Sequence, residues 1–189
     1  ERAMPSLPAT VVEDSKRLYK KLSAKGQTRG MSEQAWVVCD GLKVLWRKAH
    51  PGVVELWSRL EDVAIKAVRN PGKRYDLGLF SLMRNDNWLR IKLPSGRYLC
   101  SPSVRLDEME GSLNYTGVNQ FTRRWERVTT YGGKLVENAC QAIARDVLAN
   151  GMTLAELDGF DIVATVHDEL ICEAPDFDDH THTRLAKSM

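Results

Sequence analysis

Residues 160–175 read FDIVATVHDELICEAP. Ile162, Ala164 and Val166 alternate with polar or β-branched neighbours, and Leu170 and Cys172 resume the apolar alternation after an interruption. A period of two on both sides of a polar break predicts two half-buried strands joined by a tight turn. His167, Asp168 and Glu169 occupy the break. A strand turn holds its backbone firmly, so an acid placed there can be aimed at a bound cation. Adjacent carboxylates raise each other's cost of ionising unless a cation or a donor offsets the repulsion. A divalent metal with oxygen ligands is the natural partner, although a solvated turn would use the same residues.

Upstream, residues 131–151 read YGGKLVENACQAIARDVLANG. Leu135, Val136, Ala139, Cys140, Ile143, Ala144, Val147 and Leu148 recur at helical spacing and predict a wide apolar stripe. Gly132 and Gly133 stand before this helix, expected over residues 134–149, and Asn150-Gly151 gives its stop signal. Asn138, Gln141 and Arg145 fall at i, i+3 and i+7 and project along one line. Two amides followed by a guanidinium suit a nucleic acid, with amides at groove edges and the cation at phosphate. An ordinary solvated face has the same composition.

Towards the N-terminus the pattern is helical. Residues 13–24 form a basic amphipathic stretch ending near Gly26, Ser32 is placed to cap a helix through Ala49, and Pro51 opens a third. Val53, Leu56, Trp57, Leu60, Ala64, Ala67 and Val68 line that third helix, which Asn70-Pro71-Gly72 terminates. From Leu79 to Cys100 the period changes to two, with turns at residues 85–87 and 94–96, which predicts an antiparallel meander. A further hairpin is expected over 114–130, turning around 117–122, after a loop at 107–111. There is no internal repeat. The fold class expected is α+β: helical over 1–72, then an antiparallel sheet backed by helices over 73–189.

At 189 residues, 43% hydrophobic and a net charge of +2, the chain can bury the core of one domain or two small lobes. Near-neutrality excludes a global basic field. The cations are nevertheless clustered: Lys16, Arg17, Lys20, Lys21, Lys25 and Arg29 at the start, Arg69, Lys73 and Arg74 after the third helix, and Arg123, Arg124 and Arg127 before the glycine pair. Cys39, Cys100, Cys140 and Cys172 show no zinc-type spacing. They read as buried free thiols, Cys39 and Cys140 on helices and Cys172 on a strand. No apolar run is long enough to span a bilayer and no signal peptide is present, so a reducing, cytoplasmic setting without a membrane is expected. His180 and His182 in DFDDHTHTR could form a metal tract, although an acidic helix start suits them better.

Three segments in order, WRKAHPGVVELWSRLEDVAIKAVRNPG (46–72), LPSGRYLCSP (93–102) and the pair TYGGKLVENACQAIARD with VATVHDELICEAP, resemble the end of the fingers and the C-terminal palm of family A DNA polymerases of the phage and prophage type. The resemblance covers roughly residues 31–175. It implies that His167-Asp168-Glu169 match the family's motif C, with Asp168 a ligand of catalytic Mg²⁺ (or Mn²⁺), Glu169 an auxiliary carboxylate and metal ligand, and His167 near the primer terminus. Gln141 matches the glutamine that touches the minor groove at the primer end. Asn138, Lys134 and Arg145 would be further nucleic-acid contacts from the same helix. Arg97 would approach the primer–template backbone or the helix that carries Gln141. The implied partners are primer–template DNA, deoxynucleoside triphosphates and the rest of a polymerase, encoded by a phage or prophage in a bacterial host.

The family's two-metal phosphoryl transfer needs carboxylates from different strands. Its first acid, in a strand of the type Asp-Tyr-Ser-x-Ile-Glu, and its fingers helix with Arg-x₃-Lys-x₆-Tyr-Gly have no match here. By this resemblance the chain is a C-terminal piece of a polymerase, inactive by itself. The alternatives are a non-catalytic DNA-binding module derived from such a palm and an unrelated metal-dependent phosphohydrolase.

Overall fold

The computed structural model describes residues 7–107, 109, 111–175 and 181–189. These residues form five helices and nine strands in two compact units, Glu1–Glu55 and Leu56–Met189. The division between these units falls inside the third helix.

The first unit pairs α1 (Ala9–Ser23) with α2 (Glu33–Ala49). Gly26, at φ 66°, lets the chain turn away after α1. Ser32 caps α2 as its sequence predicts, its side chain accepting from the Ala35 amide at 3.3 Å. Between the helices, the Ser15 hydroxyl donates to the buried Asp40 carboxylate at 2.7 Å, and Lys43 donates to the same carboxylate. Burial alone would raise the Asp40 pKa, but the bonds from Lys43 and Ser15 outweigh it and hold the carboxyl below its ordinary value.

The second unit is organised by α3 (Pro51–Arg69) and a meander of β1 (Arg74–Leu77), β2 (Phe80–Asn85), β3 (Trp88–Lys92) and β4 (Tyr98–Ser101), paired in sequence order. Sequence periodicity places the meander from Leu79 onward and misses β1, a four-residue edge strand too short for alternation to stand out. Antiparallel register puts Tyr75, Leu82, Ile91 and Leu99 in one row across the sheet. That face meets Leu60, Ala64, Ala67 and Val68, spaced along one side of α3. Arg84 ties sheet to helix, donating to the Val68 carbonyl at 2.9 Å, where a cation complements the helix C-terminus.

A second sheet follows, of β5 (Arg105–Leu106), β6 (Leu113–Val118) and β7 (Trp125–Thr130). Its hairpin turns over residues 119–124, slightly later than the spacing suggests. The long helix α4 (Gly132–Leu157) then packs Leu135 and Val136 into the same core. It does not stop at Asn150-Gly151. Gly151 is buried inside the helix without a left-handed φ, and a Cβ there would meet Met189 only at ordinary contact distance, so it neither caps nor stops the helix. The true stop is Gly159, at φ 89°: its amide bonds the Glu156 carbonyl, and Phe160 reaches back to Ala155, which is the Schellman pattern.

Last come β8 (Asp161–Val166), β9 (Glu169–Glu173) and the short α5 (His182–Ser188). The Arg184 guanidinium grips the Asp158 carboxylate through two bonds of 2.9 and 2.8 Å, fixing α5 to the end of α4. The class is thus α+β, with three separate antiparallel sheets in place of the single sheet expected. No helix among the described residues is long and apolar enough to cross a membrane.

Candidate nucleic-acid interface

The N-terminus of α4 is seated by close approach. A Cβ on Gly132 would lie 1.9 Å from the Trp57 carbonyl oxygen, so only glycine lets the two backbones meet there. The Gly132 amide donates to the Glu61 carboxylate at 3.0 Å, satisfying an otherwise orphaned helix donor with a favourably placed negative charge. The glycine pair therefore belongs to the helix start and its packing.

One turn further, the polar line reaches a groove of about 420 Å³ between α4 and the β3–β4 end of the meander. Asn138, Gln141 and Arg145 form its helical wall, and Arg97, Ser101 and Tyr115 are among the residues facing them. The i, i+3, i+7 spacing accordingly brings those three side chains into one cleft. Lys134 stands apart from it, bridged to Glu137 at 3.0 Å, and Gln141 makes a long 3.5 Å contact to the same Glu137.

Arg97 is committed to the helix. Its Nε donates to Asp146 at 2.6 Å and a terminal nitrogen to the Ala142 carbonyl at 3.3 Å. The Ser95 hydroxyl takes the other Asp146 oxygen at 2.5 Å. The Ser95 bond is the main influence holding the Asp146 carboxyl below its ordinary value; burial opposes it, and Arg97 adds to it. Of the two placements open to Arg97, the structure has it against the Gln141 helix. Asp146 and Ser95 escape sequence reasoning because they sit 49 and 51 residues from their partners.

The acidic hairpin is a different environment. Val166 pairs with Glu169, so His167 and Asp168 form the two-residue turn and Glu169 opens β9. His167 takes a left-handed φ of 55°. All three side chains are exposed, none lines the groove, and none has a side-chain partner among the described residues. The strands are not half-buried throughout, as alternation suggests: Val163, Val166 and Ile171 are exposed, and only Ile162, Leu170 and Cys172 are partly covered. A register shift between Ile162 and Ala164 leaves Val163 as an extra residue and breaks the alternation. No third strand among the described residues pairs with this hairpin.

Oxygen donors suit Mg²⁺, but their number here does not. No group of three His, Cys, Asp or Glu side chains that could hold a metal exists among the described residues, so Asp168 and Glu169 supply at most part of a site. His182 joins no such group, and His180, with the acidic stretch before it, lies outside the described residues. The cysteines depart from expectation as well: Cys39, Cys100 and Cys140 are exposed and only Cys172 is partly covered. The apolar stripe on α4 is wider than its neighbours bury, leaving Cys140, Ala144 and Val147 in the open.

A cleft walled by two amides and a guanidinium offers hydrogen bonds and a positive charge to a ligand, while the exposed carboxylate turn sits on another element and lines no part of it. Over 138 residues the chain is 44% identical to a protein named DNA polymerase from Bacillus phage SP02, a match covering 69% of this chain and 20% of that protein. The chain thus corresponds to about a fifth of its relative's length. No protein-family model matches it. No solved structure matches it.

Proposed function

We propose that this chain is the primer–template-holding segment of a family A DNA polymerase, residues 1–72 being the tail of the fingers and 73–189 part of the palm. The observation that carries the reading is the convergence of Asn138, Gln141 and Arg145 on one groove, in a chain 44% identical to part of a phage protein named DNA polymerase. In this reading the amides of Asn138 and Gln141 meet base edges at the primer end, and Arg145 meets a phosphate. Arg97 acts through Asp146, positioning the helix rather than touching DNA. Lys134 belongs to the outer edge of the same face.

Asp168 and Glu169 contribute two oxygen donors to an acidic centre that other parts of the polymerase complete, beside His167 and the primer terminus. Nucleotidyl transfer to a primer 3′-hydroxyl from deoxynucleoside triphosphates is the activity of the whole enzyme, and no step of it is assigned to this chain alone. The test is fluorescence anisotropy with a labelled primed template. The chain should bind, Gln141→Ala should weaken binding about threefold to tenfold, the size of one hydrogen bond, and Arg145→Gln should reduce the salt slope by about 0.9. Incubation with primed template, triphosphates and Mg²⁺ should give no extension. Extension, or binding indifferent to both substitutions, would refute the proposal.

A further inference from the structure

The tip of the β6–β7 hairpin has a composition that the groove does not use. Residues 119–125 read NQFTRRW and contain no acid. Phe121 is 85% exposed and Trp125 is 65% exposed, with Val118 its cross-strand partner. Phe121, this open at a loop tip, gains little for the fold, and Trp125 at the start of β7 keeps only its cross-strand contact with Val118. Arg123 and Arg124 are exposed and have no charged partner among the described residues.

The loop is nevertheless well built. The Asn119 carbonyl oxygen of the side chain accepts from the Phe121 and Thr122 amides at 2.8 and 3.3 Å. Its amide nitrogen donates to Glu126 at 2.5 Å, and the Thr122 hydroxyl donates to the same oxygen at 3.0 Å. Arg123 adopts a left-handed φ of 58°, held by its amide bond to the Asn119 carbonyl. Glu126 keeps its charge while accepting these bonds, and Arg123 and Arg124 together outweigh it, which leaves the tip with a net positive charge. The backbone that carries two aromatic rings and two guanidinium groups is thus fixed before any ligand arrives.

We infer that this hairpin tip is a binding site for an unpaired nucleic-acid strand, with Phe121 and Trp125 stacking on bases and Arg123 and Arg124 meeting its phosphates. Stacking on an aromatic face tolerates any base, and guanidinium groups follow the backbone, which is the combination that single strands require. An acidic peptide would use the cations and leave the rings idle; a duplex hides the base faces that the rings need. The site lies on the second sheet and draws on none of the residues assigned to the groove.

The experiment titrates the 189-residue chain with a labelled twelve-nucleotide oligo-dT and, separately, with a blunt duplex. Phe121→Ala and Trp125→Ala should each weaken the single-strand complex by about fivefold to a hundredfold, the range for loss of one stacked base. The double variant Arg123→Gln/Arg124→Gln should lower its salt slope by about 1.4. Gln141→Ala and Arg145→Gln, which alter the groove, should weaken oligo-dT binding less than either aromatic variant does. Phe121→Leu, which keeps an apolar side chain but removes the ring, controls for loop collapse and should bind as poorly as Phe121→Ala. No oligo-dT binding by the unsubstituted chain, or loss only in the arginine variant, would overturn the inference without touching the groove proposal. Loss in the groove variants alone would overturn it too. Intact hairpin effects with duplex binding indifferent to Gln141→Ala and Arg145→Gln would refute the groove and leave this site standing.

Discussion

Asp146 and Asp168 lie in the same compact unit, yet one accepts bonds from Ser95 and Arg97 while the other stands at an open turn with no side-chain partner among the described residues. The surroundings differ in the same sense. Around Asp146, α4 is fixed by Gly132 against Trp57, by Glu61 at its first amide, and by Leu135 and Val136 in the core. Around Asp168, two strands pair only with each other and leave Val163, Val166 and Ile171 uncovered. A lone two-stranded hairpin is marginal in water. Geometry accurate enough for recognition is therefore intrinsic to the groove, whereas the carboxylate turn depends on further contacts for comparable rigidity.

The largest expected effect separates the two regions directly. Leu82→Ala, at a fully buried core position, should cost about 2–5 kcal/mol. Ile171→Ala on the hairpin should cost about 0.5 kcal/mol or less, as a surface substitution does. Denaturant midpoints with unchanged slope measure both. Equal losses would mean that the hairpin is covered in solution, and the contrast would fail.

Gly132→Ala comes next. Its Cβ would collide with the Trp57 backbone and not with a movable side chain, so about 1–3 kcal/mol of overpacking is expected. Glu61→Gln keeps an acceptor for the Gly132 amide and removes the charge, which should cost about 0.3–1 kcal/mol. A neutral Gly132→Ala would show that α4 sits farther from α3 than described.

Acid sharpens the comparison further. Asp40 and Asp146 both have carboxyl pKa values below the ordinary 3.8 in the folded chain. The unfolded chain therefore takes up these protons first as pH falls, and the stability the groups contribute is complete above about pH 5 and is lost progressively as pH falls from about 4 through the lowered folded values. Asp40→Asn and Asp146→Asn should each flatten the acid limb of a stability–pH curve. The smallest effect belongs to the exposed Lys134–Glu137 pair, where Lys134→Ala should change stability by about 0.2–0.5 kcal/mol.

Legibility follows the range over which each residue acts. Ser32, Pro51 and Asn70-Pro71-Gly72 act on their own neighbours, and their helix boundaries can be read off the chain. Asn138, Gln141 and Arg145 share a face through helical period alone, so the groove wall is legible too. Gly151 misleads because a glycine that caps a helix and one carried inside it look alike in sequence, and only the backbone, left-handed at Gly159 and not at Gly151, tells them apart. Ser15 with Asp40, Glu61 with Gly132 and Arg97 with Asp146 join residues 25, 71 and 49 positions apart, and no periodicity reports them. The hairpin strands mislead in the opposite direction: alternation in residues 160–175 signals one covered face, and the described residues do not provide the cover.

The groove as the seat of duplex DNA is tested most directly by side-chain amide resonances. With a primed DNA hairpin added to the isotope-labelled chain, the NH₂ signals of Asn138 and Gln141 should shift in proportion to occupancy while those of Asn70 and Asn85 stay in place. Binding that leaves both groove amides unmoved would contradict the account.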